Sequence, residues 1–134
     1  MPDKLAVLLS QTFRRQIEHR EIETVFLPVI DLFAGKIMGY EAHSRGRPPF
    51  ADPLELFAQA KREGWEWEAD MACLVTALQR IAKLPSECLA RNFFLNVTVA
   101  GFSSTNFLRF FTPAVMARYG LNSSQIVIEL EAAA

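Results

Sequence analysis

The sequence predicts an α/β fold built around a mostly parallel sheet. The segment Phe93–Val99 is almost continuously apolar, which is typical of parallel strands covered on both faces, and Gln125–Glu131 is predicted to form another buried strand. Helical patterns precede and separate them, and an alternation of strand, helix and strand favours right-handed parallel connections. At 134 residues and 15.1 kDa the chain has the length of one domain.

Composition excludes several classes of function. The net charge is -1 and the pI is about 6.1, so no basic surplus is available for binding a nucleic-acid polymer. The apolar run Leu5–Leu9 is too short for a secretory or membrane segment, and we expect a cytoplasmic protein without membrane contact. Cys73 and Cys88 lack the spacing of a metal or redox pair. The hydrophobic fraction of 51% hints at an apolar surface that binds a partner.

The first third of the chain predicts a helix and two strands. Residues 4–20 place apolar side chains on one face and charged ones on the other, as in an amphipathic helix. Thr24–Leu32 is rich in β-formers, but Pro28 removes a ladder donor and indicates an edge or irregular strand. Phe33–Lys36 predicts a turn, and the second strand runs over Lys36–His43.

Two helices are expected to follow a proline-rich loop at Arg45–Pro49. Asp52 is suited to the N-cap, Pro53 to the first helical position, and Gly64 to the stop. A longer helix is predicted over Glu66–Leu84, where apolar residues recur at three and four positions.

One more helix is expected between the two apolar strands. Ser103, Ser104 or Thr105 can cap a helix that runs to about Tyr119, and Pro113 should kink it or split it in two.

Three polar residues interrupt the predicted strands: Glu41, Asn96 and Glu129. Each lies toward the carboxyl end of its strand, where ligand-binding groups gather in parallel α/β folds. Their oxygen atoms suit Mg²⁺ or Mn²⁺ better than zinc, and Arg45 beyond Glu41 can bind a phosphate. The alternative is that Asn96 bonds to backbone, Glu129 is solvated and Arg45 is simply exposed.

The sequence also resembles a known family. The segments FLPVIDL (26–32), GKIMGYEAHSRG (35–46), FFLNVT (93–98) and IVIEL (126–130) occur in an order and spacing similar to those of the EAL-domain family of cyclic di-GMP phosphodiesterases. The resemblance extends from Thr24 onward.

This resemblance implies a TIM-type (β/α) barrel whose first strand is antiparallel. Residues 1–134 are then a single domain fragment, a half barrel of about four strands, with 1–22 as a leading helix and 23–134 as the first half of the barrel. Its open sheet edges favour a homo-oligomer such as a dimer, or a partner protein that completes the sheet. Trp65 and Trp67 offer another exposed contact surface, unless they pack a helix onto the sheet.

The resemblance also implies roles for the polar residues. Glu41, Asn96 and Glu129 correspond to ligands of Mg²⁺ or Mn²⁺, Arg45 corresponds to the arginine that grips the phosphate of cyclic di-GMP, and His43 is placed to stack on a base. In that family two divalent ions generate the hydroxide that opens one phosphodiester bond, which gives linear pGpG.

Several positions depart from the family pattern. Leu27 replaces a glutamine near the ligand, His43 replaces the leucine of the signature, Val99 replaces a proline, and Glu131-Ala132 replaces a Thr-Glu pair. The family's Asp-Asp pair, its lysine and its later Glu and Gln have no counterparts. We therefore expect little or no hydrolysis by this chain alone.

Three interpretations stay open at this stage. The chain is a partial or degenerate EAL domain that keeps a remnant metal and dinucleotide site, or it is the N-terminal half of an active cyclic di-GMP phosphodiesterase. The third is a protein-interaction module that kept the fold and lost its ligand.

Overall fold

The computed structural model describes residues 3–131 and consists of an open four-stranded sheet with helices packed on one face. The strands are β1 (Glu23–Asp31), β2 (Lys36–Arg45), β3 (Asn92–Thr98) and β4 (Ile126–Glu131). The helices are α1 (Lys4–Glu18), α2 (Pro53–Glu63), α3 (Glu66–Ile81), α4 (Ser86–Leu89), α5 (Val99–Phe102), α6 (Thr105–Phe110) and α7 (Pro113–Arg118), and a 3₁₀ turn covers Ser123–Gln125.

The strands follow one another across the sheet in chain order. β1 pairs with β2 in the antiparallel direction, whereas β2, β3 and β4 are parallel. Pro28 lies in β1, an edge strand, and the register of β1 shifts between Val29 and Ile30. An edge tolerates the missing proline N–H. The predicted α/β class, the antiparallel first strand and the irregularity near Pro28 are all confirmed.

Local signals set the bounds of α2 as predicted. The Asp52 side chain accepts a hydrogen bond of 2.9 Å from the backbone N–H of Leu54. Pro53 occupies the first helical position, and Gly64 ends the helix in the left-handed conformation at a φ of 67°. The helix α3 ends at Ile81, three residues before the predicted Leu84.

Pro113 splits the last predicted helix rather than kinking it. The helix α6 begins after Ser104, whose side chain accepts from the backbone N–H of Asn106, and α7 begins after Thr112 with Pro113 in its first position. Proline fits there because a backbone N–H at that position has no intrahelical partner.

None of the helices within residues 3–131 has the length and apolar character of a membrane span.

The main core lies between the sheet and the helices. Phe93, Leu95 and Val97 alternate along β3 and are at most 1% exposed, packing with residues of α3, α6 and α7. On the other face of β3, Phe94 and Asn96 are only half-buried. The expectation that this strand is covered on both faces is wrong, because no second layer within residues 3–131 lies on that face.

A second core joins α1 to α2 and α3. Phe13 is fully buried and packs edge-to-face on Phe50 and Trp65, with ring centroids 5.8 and 6.1 Å apart. Arg14 lies over the Trp65 ring at 4.6 Å, and Trp67 packs against the main core. Of the two alternatives for the tryptophans, the structure therefore favours packing.

Hydrogen bonds to Glu63 connect α1 to the end of α2. Glu63 Oε1 accepts hydrogen bonds of 2.7 Å from both Ser10 Oγ and Arg14 Nε, and Glu63 Oε2 accepts one of 2.9 Å from Gln59. Burial raises the pKa of Glu63, but these hydrogen bonds and the charge of Arg14 outweigh burial and hold the pKa below its usual range.

Candidate functional site

The open face of the sheet carries the three polar residues that interrupt the strands. In the register of the sheet, Glu41 of β2 lies between Leu27 of β1 and Phe94 of β3. Further along, Asn96 of β3 lies beside Glu129 of β4. Side chains at every second position share a face, so the three polar residues point to the same side of the sheet near the carboxyl ends of β2, β3 and β4.

Glu41 is the centre of this polar cluster. Glu41 Oε2 lies 3.3 Å from His43 Nε2, and Glu129 and Asn96 are the other side chains that act on the Glu41 carboxyl group. Partial burial raises the pKa of Glu41, but the neighbouring side chains of His43, Glu129 and Asn96 outweigh burial and keep the pKa below its ordinary value of 4.5. The structure thus brings together four of the five predicted site residues.

Glu41 and Glu129 carry carboxyl groups on the same face of the sheet. Neighbouring carboxylates repel each other, and a shared proton or a cation between them relieves this repulsion. Among residues 3–131 no three His, Cys, Asp or Glu side chains form a metal-binding group, so a cation at Glu41 and Glu129 would need the amide oxygen of Asn96 as a further ligand. Two carboxylates and an amide are oxygen donors that Mg²⁺ or Mn²⁺ accepts, with water in the remaining positions.

Arg45 stands apart from the cluster. It is the last residue of β2, paired with Glu23 of β1, and its side chain is exposed. Glu41, His43 and Arg45 alternate along β2 and so share the open face, with Arg45 about 13 Å beyond Glu41 at the usual rise of a strand. The structure therefore places the arginine at the rim of the same face, where a ligand on the polar cluster can reach it.

A buried network that the sequence did not reveal fixes the end of β3. Asp70 of α3 is 1% exposed, and its Oδ2 accepts a hydrogen bond of 2.6 Å from the Thr98 hydroxyl. The Thr98 hydroxyl in turn accepts a bond of 2.9 Å from the backbone N–H of Gly101. This network holds Thr98 only two residues beyond Asn96. The signal in the sequence is one acidic residue on the apolar stripe of α3.

A cavity of about 230 Å³ opens beside the cluster. It forms because the pairing of β2 with β3 stops at Ala42 and Leu95, after which the two strands separate. Cys73 faces it, and burial, with a smaller contribution from the charge of Asp70, raises the pKa of this thiol to about 12. Polar and apolar residues both line the cavity, among them Glu41, His43, Asn96, Phe57, Leu74 and Ala77.

Comparison with known sequences decides the family. The sequence profile of the EAL domain matches residues 10–134, which is nearly the whole chain. This chain belongs to the EAL domain family. None of the curated proteins matches it.

Solved EAL domains share the fold of this chain. The FimX EAL domain of Xanthomonas citri in complex with c-diGMP has a TM-score of 0.77 and 14% identity, covering 95% of this chain and 50% of that one. The FimX EAL domain of Pseudomonas aeruginosa bound to c-di-GMP has a TM-score of 0.74 and 18% identity, covering 90% and 48%. A calcium and cy-diGMP complex of Klebsiella pneumoniae BlrP1 has a TM-score of 0.63 and 18% identity, covering 82% of this chain and 27% of that one.

These overlaps define what part of an EAL barrel is present. The chain spans about half the length of the FimX EAL domains that it matches. Its open, mixed sheet of four strands is accordingly a partial EAL TIM-barrel fold, as predicted.

Two of the departures expected from the resemblance lie at the polar cluster itself. Leu27, at the position of the expected glutamine, is the direct neighbour of Glu41 in the register and is 51% exposed. An apolar side chain therefore borders the cluster on the β1 side. His43, at the position of the signature leucine, contacts Glu41 and so adds a polar partner to the cluster.

The other expected departures lie at the ends of β3 and β4. Val99 is the first residue of α5, after the N-cap Thr98, and a first helical position accepts proline or valine without loss of a helical hydrogen bond. The backbone of Glu131 pairs with that of Thr98. Ala132 lies outside the described residues.

Proposed function

We propose that this chain binds cyclic di-GMP on the open face of its sheet, as a partial and degenerate EAL domain with a remnant metal and dinucleotide site. The observation that carries the proposal is the register of the sheet, which places Glu41, Asn96 and Glu129 on one face of three adjacent strands, in a chain of the EAL family with Arg45 on the same face. The similar FimX and BlrP1 structures contain this dinucleotide.

The proposed ligand suits the groups on this face. Cyclic di-GMP carries two phosphates, and a guanidinium forms bidentate, charge-assisted hydrogen bonds with a phosphate. The exposed Arg45 is free to turn toward one phosphate, while His43 offers a flat ring for a guanine base. The ligand would extend along β2 from the cluster to the rim of the sheet.

A divalent cation is part of the proposal. Glu41, Asn96 and Glu129 would hold Mg²⁺ or Mn²⁺, and a structure of BlrP1 with manganese and cy-diGMP supports the use of such ions in the family. When bound, the ion supplies positive charge to the phosphate and to the two carboxylates.

Calorimetric titration of cyclic di-GMP into the chain with Ca²⁺ tests the binding proposal. Ca²⁺ takes oxygen ligands and disfavours turnover. We expect saturable binding that is lost in Glu41→Ala and weakened about 10- to 100-fold in Arg45→Ala, the range for losing a charged hydrogen bond. Arg109→Ala, a change to an exposed arginine of α6, is the matched control and should bind like the unaltered chain. No heat with a folded protein would refute the proposal.

We also propose that hydrolysis by this chain alone is slow or nil. The sequence has no adjacent Asp-Asp pair, which the family resemblance assigns to the second metal ion. Chromatography of cyclic di-GMP incubated with the chain and Mn²⁺ should therefore yield no pGpG above a Glu41→Gln control. Turnover that depends on Glu41 would instead favour an active phosphodiesterase.

The open sheet supports a further proposal, association with a second copy of the chain. Leu27 and Val127 are 51% and 38% exposed on the open face, and β1 and β4 are edge strands within the described sheet. Exposed apolar area and unpaired strand edges favour pairing with another chain. Light scattering at high concentration should give a dimer of about 30 kDa, twice the 15.1 kDa of one chain. A monomer at every concentration would exclude it.

A specific observation keeps the protein-interaction module as a second candidate. Leu27 is apolar and half-exposed beside Glu41, as expected of a face that contacts protein. If this candidate is correct, Arg45→Ala leaves association unchanged, and the calorimetric titration gives no heat.

A further inference from the structure

The amide of Gln16 is a buried polar group that lies outside the cluster on the open face. Gln16 lies in α1 and is 0% exposed. Its Oε1 accepts a hydrogen bond of 2.9 Å from the backbone N–H of Arg47, and its Nε2 donates one of 3.0 Å to the backbone oxygen of Arg47. A side-chain amide that pairs with both groups of one residue fixes that residue in position and orientation.

The loop after β2 is built around this amide. Gly46 N–H donates to the backbone oxygen of Phe50 at 3.1 Å, and Phe50 N–H donates to the backbone oxygen of Arg47 at 2.7 Å. A Cβ on Gly46 would lie 2.7 Å from Gln16 Oε1 and 2.6 Å from the Phe50 oxygen, closer than real Cβ atoms come. Glycine at position 46 thus leaves the space that the Gln16 side chain fills.

Arg45 depends on its backbone for its position. Across residues 3–131 its side chain forms no hydrogen bond or ion pair. On one side the backbone of Arg45 is held by pairing with Glu23 of β1. On the other side it is held by the loop, which Gln16 fixes two residues away at Arg47.

We propose that Gln16 is a positioning residue for Arg45, which sets the direction in which the guanidinium leaves the rim of the sheet. The inference rests on the proposed binding of cyclic di-GMP, because it concerns how the arginine meets a phosphate. An arginine whose backbone is already held in place loses less conformational freedom on binding a ligand than an arginine on a mobile loop does. The leading helix α1 is then part of the ligand site although it does not contact the ligand.

Hydrogen exchange tests the first step, that Gln16 holds the loop. Gln16→Met keeps the length and helix propensity of the side chain and removes both hydrogen bonds. We expect the amide of Arg47 to exchange at least about tenfold faster in this variant, with the amides of β3 unchanged. Ser10→Ala, which removes a hydrogen bond of α1 to α2, is the matched control and should leave the Arg47 amide protected. An Arg47 amide that stays equally protected in Gln16→Met would overturn the inference.

A double-mutant cycle tests the second step, that Gln16 acts through Arg45. Gln16→Met should weaken binding of cyclic di-GMP about three- to tenfold in the unaltered chain, and less than about 1.5-fold in a chain that already carries Arg45→Ala. A merely structural contribution would weaken binding equally in both backgrounds, and that result would refute a positioning role. Ser10→Ala should have the same small effect in both.

The outcomes separate this inference from the proposed function. Binding that depends on Arg45 but is insensitive to Gln16→Met refutes the inference and leaves the proposed function standing. Absence of binding in the folded, unaltered chain refutes the proposed function, and the positioning role falls with it.

Discussion

Replacing Gly101 by alanine is expected to destabilise the protein only while Asp70 is present. A Cβ on Gly101 would approach Asp70 Oδ2 well inside 3.0 Å, the limit below which real Cβ atoms are essentially never found. The carboxylate would have to move away from the Thr98 hydroxyl, to which it is bonded at 2.6 Å. The clash therefore breaks the network that fixes the end of β3.

The magnitude follows from two opposing contributions. Loss of a hydrogen bond to a buried charged group costs about 1.5–3 kcal/mol, and alanine in place of glycine within a helix returns about 0.5–1 kcal/mol. Gly101→Ala should therefore lower the free energy of unfolding by about 0.5–2.5 kcal/mol. In an Asp70→Ala background the clash is absent, and Gly101→Ala should be neutral or stabilising by up to about 1 kcal/mol.

Urea denaturation of the four proteins of this cycle, followed by far-UV circular dichroism, measures the coupling. Ala100→Gly, an exposed position of the same helix α5, is the control and should have the same effect in both backgrounds. Equal effects of Gly101→Ala with and without the Asp70 carboxylate would show that the described contact does not decide the outcome, and would refute the reasoning.

Three other expectations follow from named contacts. The ionised form of Glu63 stabilises the fold because its pKa is lowered. This contribution is complete above its ordinary pKa of 4.5 and is lost as the pH falls through the lowered value. Between about pH 6 and pH 3, the Glu63→Gln variant should therefore lose less free energy of unfolding than the unaltered protein. Cys88 is half-buried, whereas Cys73 is buried and its pKa is raised to about 12. A thiol reagent at about pH 8 should therefore label Cys88 in the native protein and Cys73 only after unfolding, which peptide mapping can measure. Rapid labelling of Cys73 in the native protein would contradict this. In Gly39→Ala the added Cβ would lie well under 3.0 Å from the backbone oxygen of Asn92. By disturbing the pairing of β2 with β3, this change should lower the free energy of unfolding by about 2–4 kcal/mol, which thermal unfolding can measure. An unchanged melting temperature would argue against that pairing.

Elements with strong local signals were predictable from the sequence. The bounds of α2 follow from Asp52, Pro53 and Gly64, each of which acts through its own backbone geometry. The start of α7 follows from Pro113 in the same way. The short helices α4 and α5 were not predicted, because four residues are too few for a periodic pattern.

The cover of the sheet was less predictable, since it depends on tertiary neighbours. An apolar run such as that of β3 is expected when both faces are buried, yet Phe94 is half-buried on the open face while Phe93 is fully buried on the other. Hydrophobicity alone does not distinguish a face covered by helices from one open to solvent.

The candidate site was predicted in part. The alternation of side chains along each strand predicted that Glu41, Asn96 and Glu129 share one face of the sheet. The register of the sheet agrees with this prediction. Their roles as ligands stay predictions. The bonds of Gln16 and Asp70 were not predictable, because each joins segments about 30 positions apart in the chain and no local pattern reports such a pairing.

Paramagnetic broadening by Mn²⁺ in ¹H–¹⁵N spectra of the chain tests the central claim, that Glu41, Asn96 and Glu129 form a divalent cation site on the open face. Substoichiometric Mn²⁺ should broaden the amides around these three residues first, leave the amides of α1 sharp, and lose this selectivity in Glu41→Gln. Uniform broadening over all acidic surfaces, or the same selective pattern in Glu41→Gln, would contradict the claim.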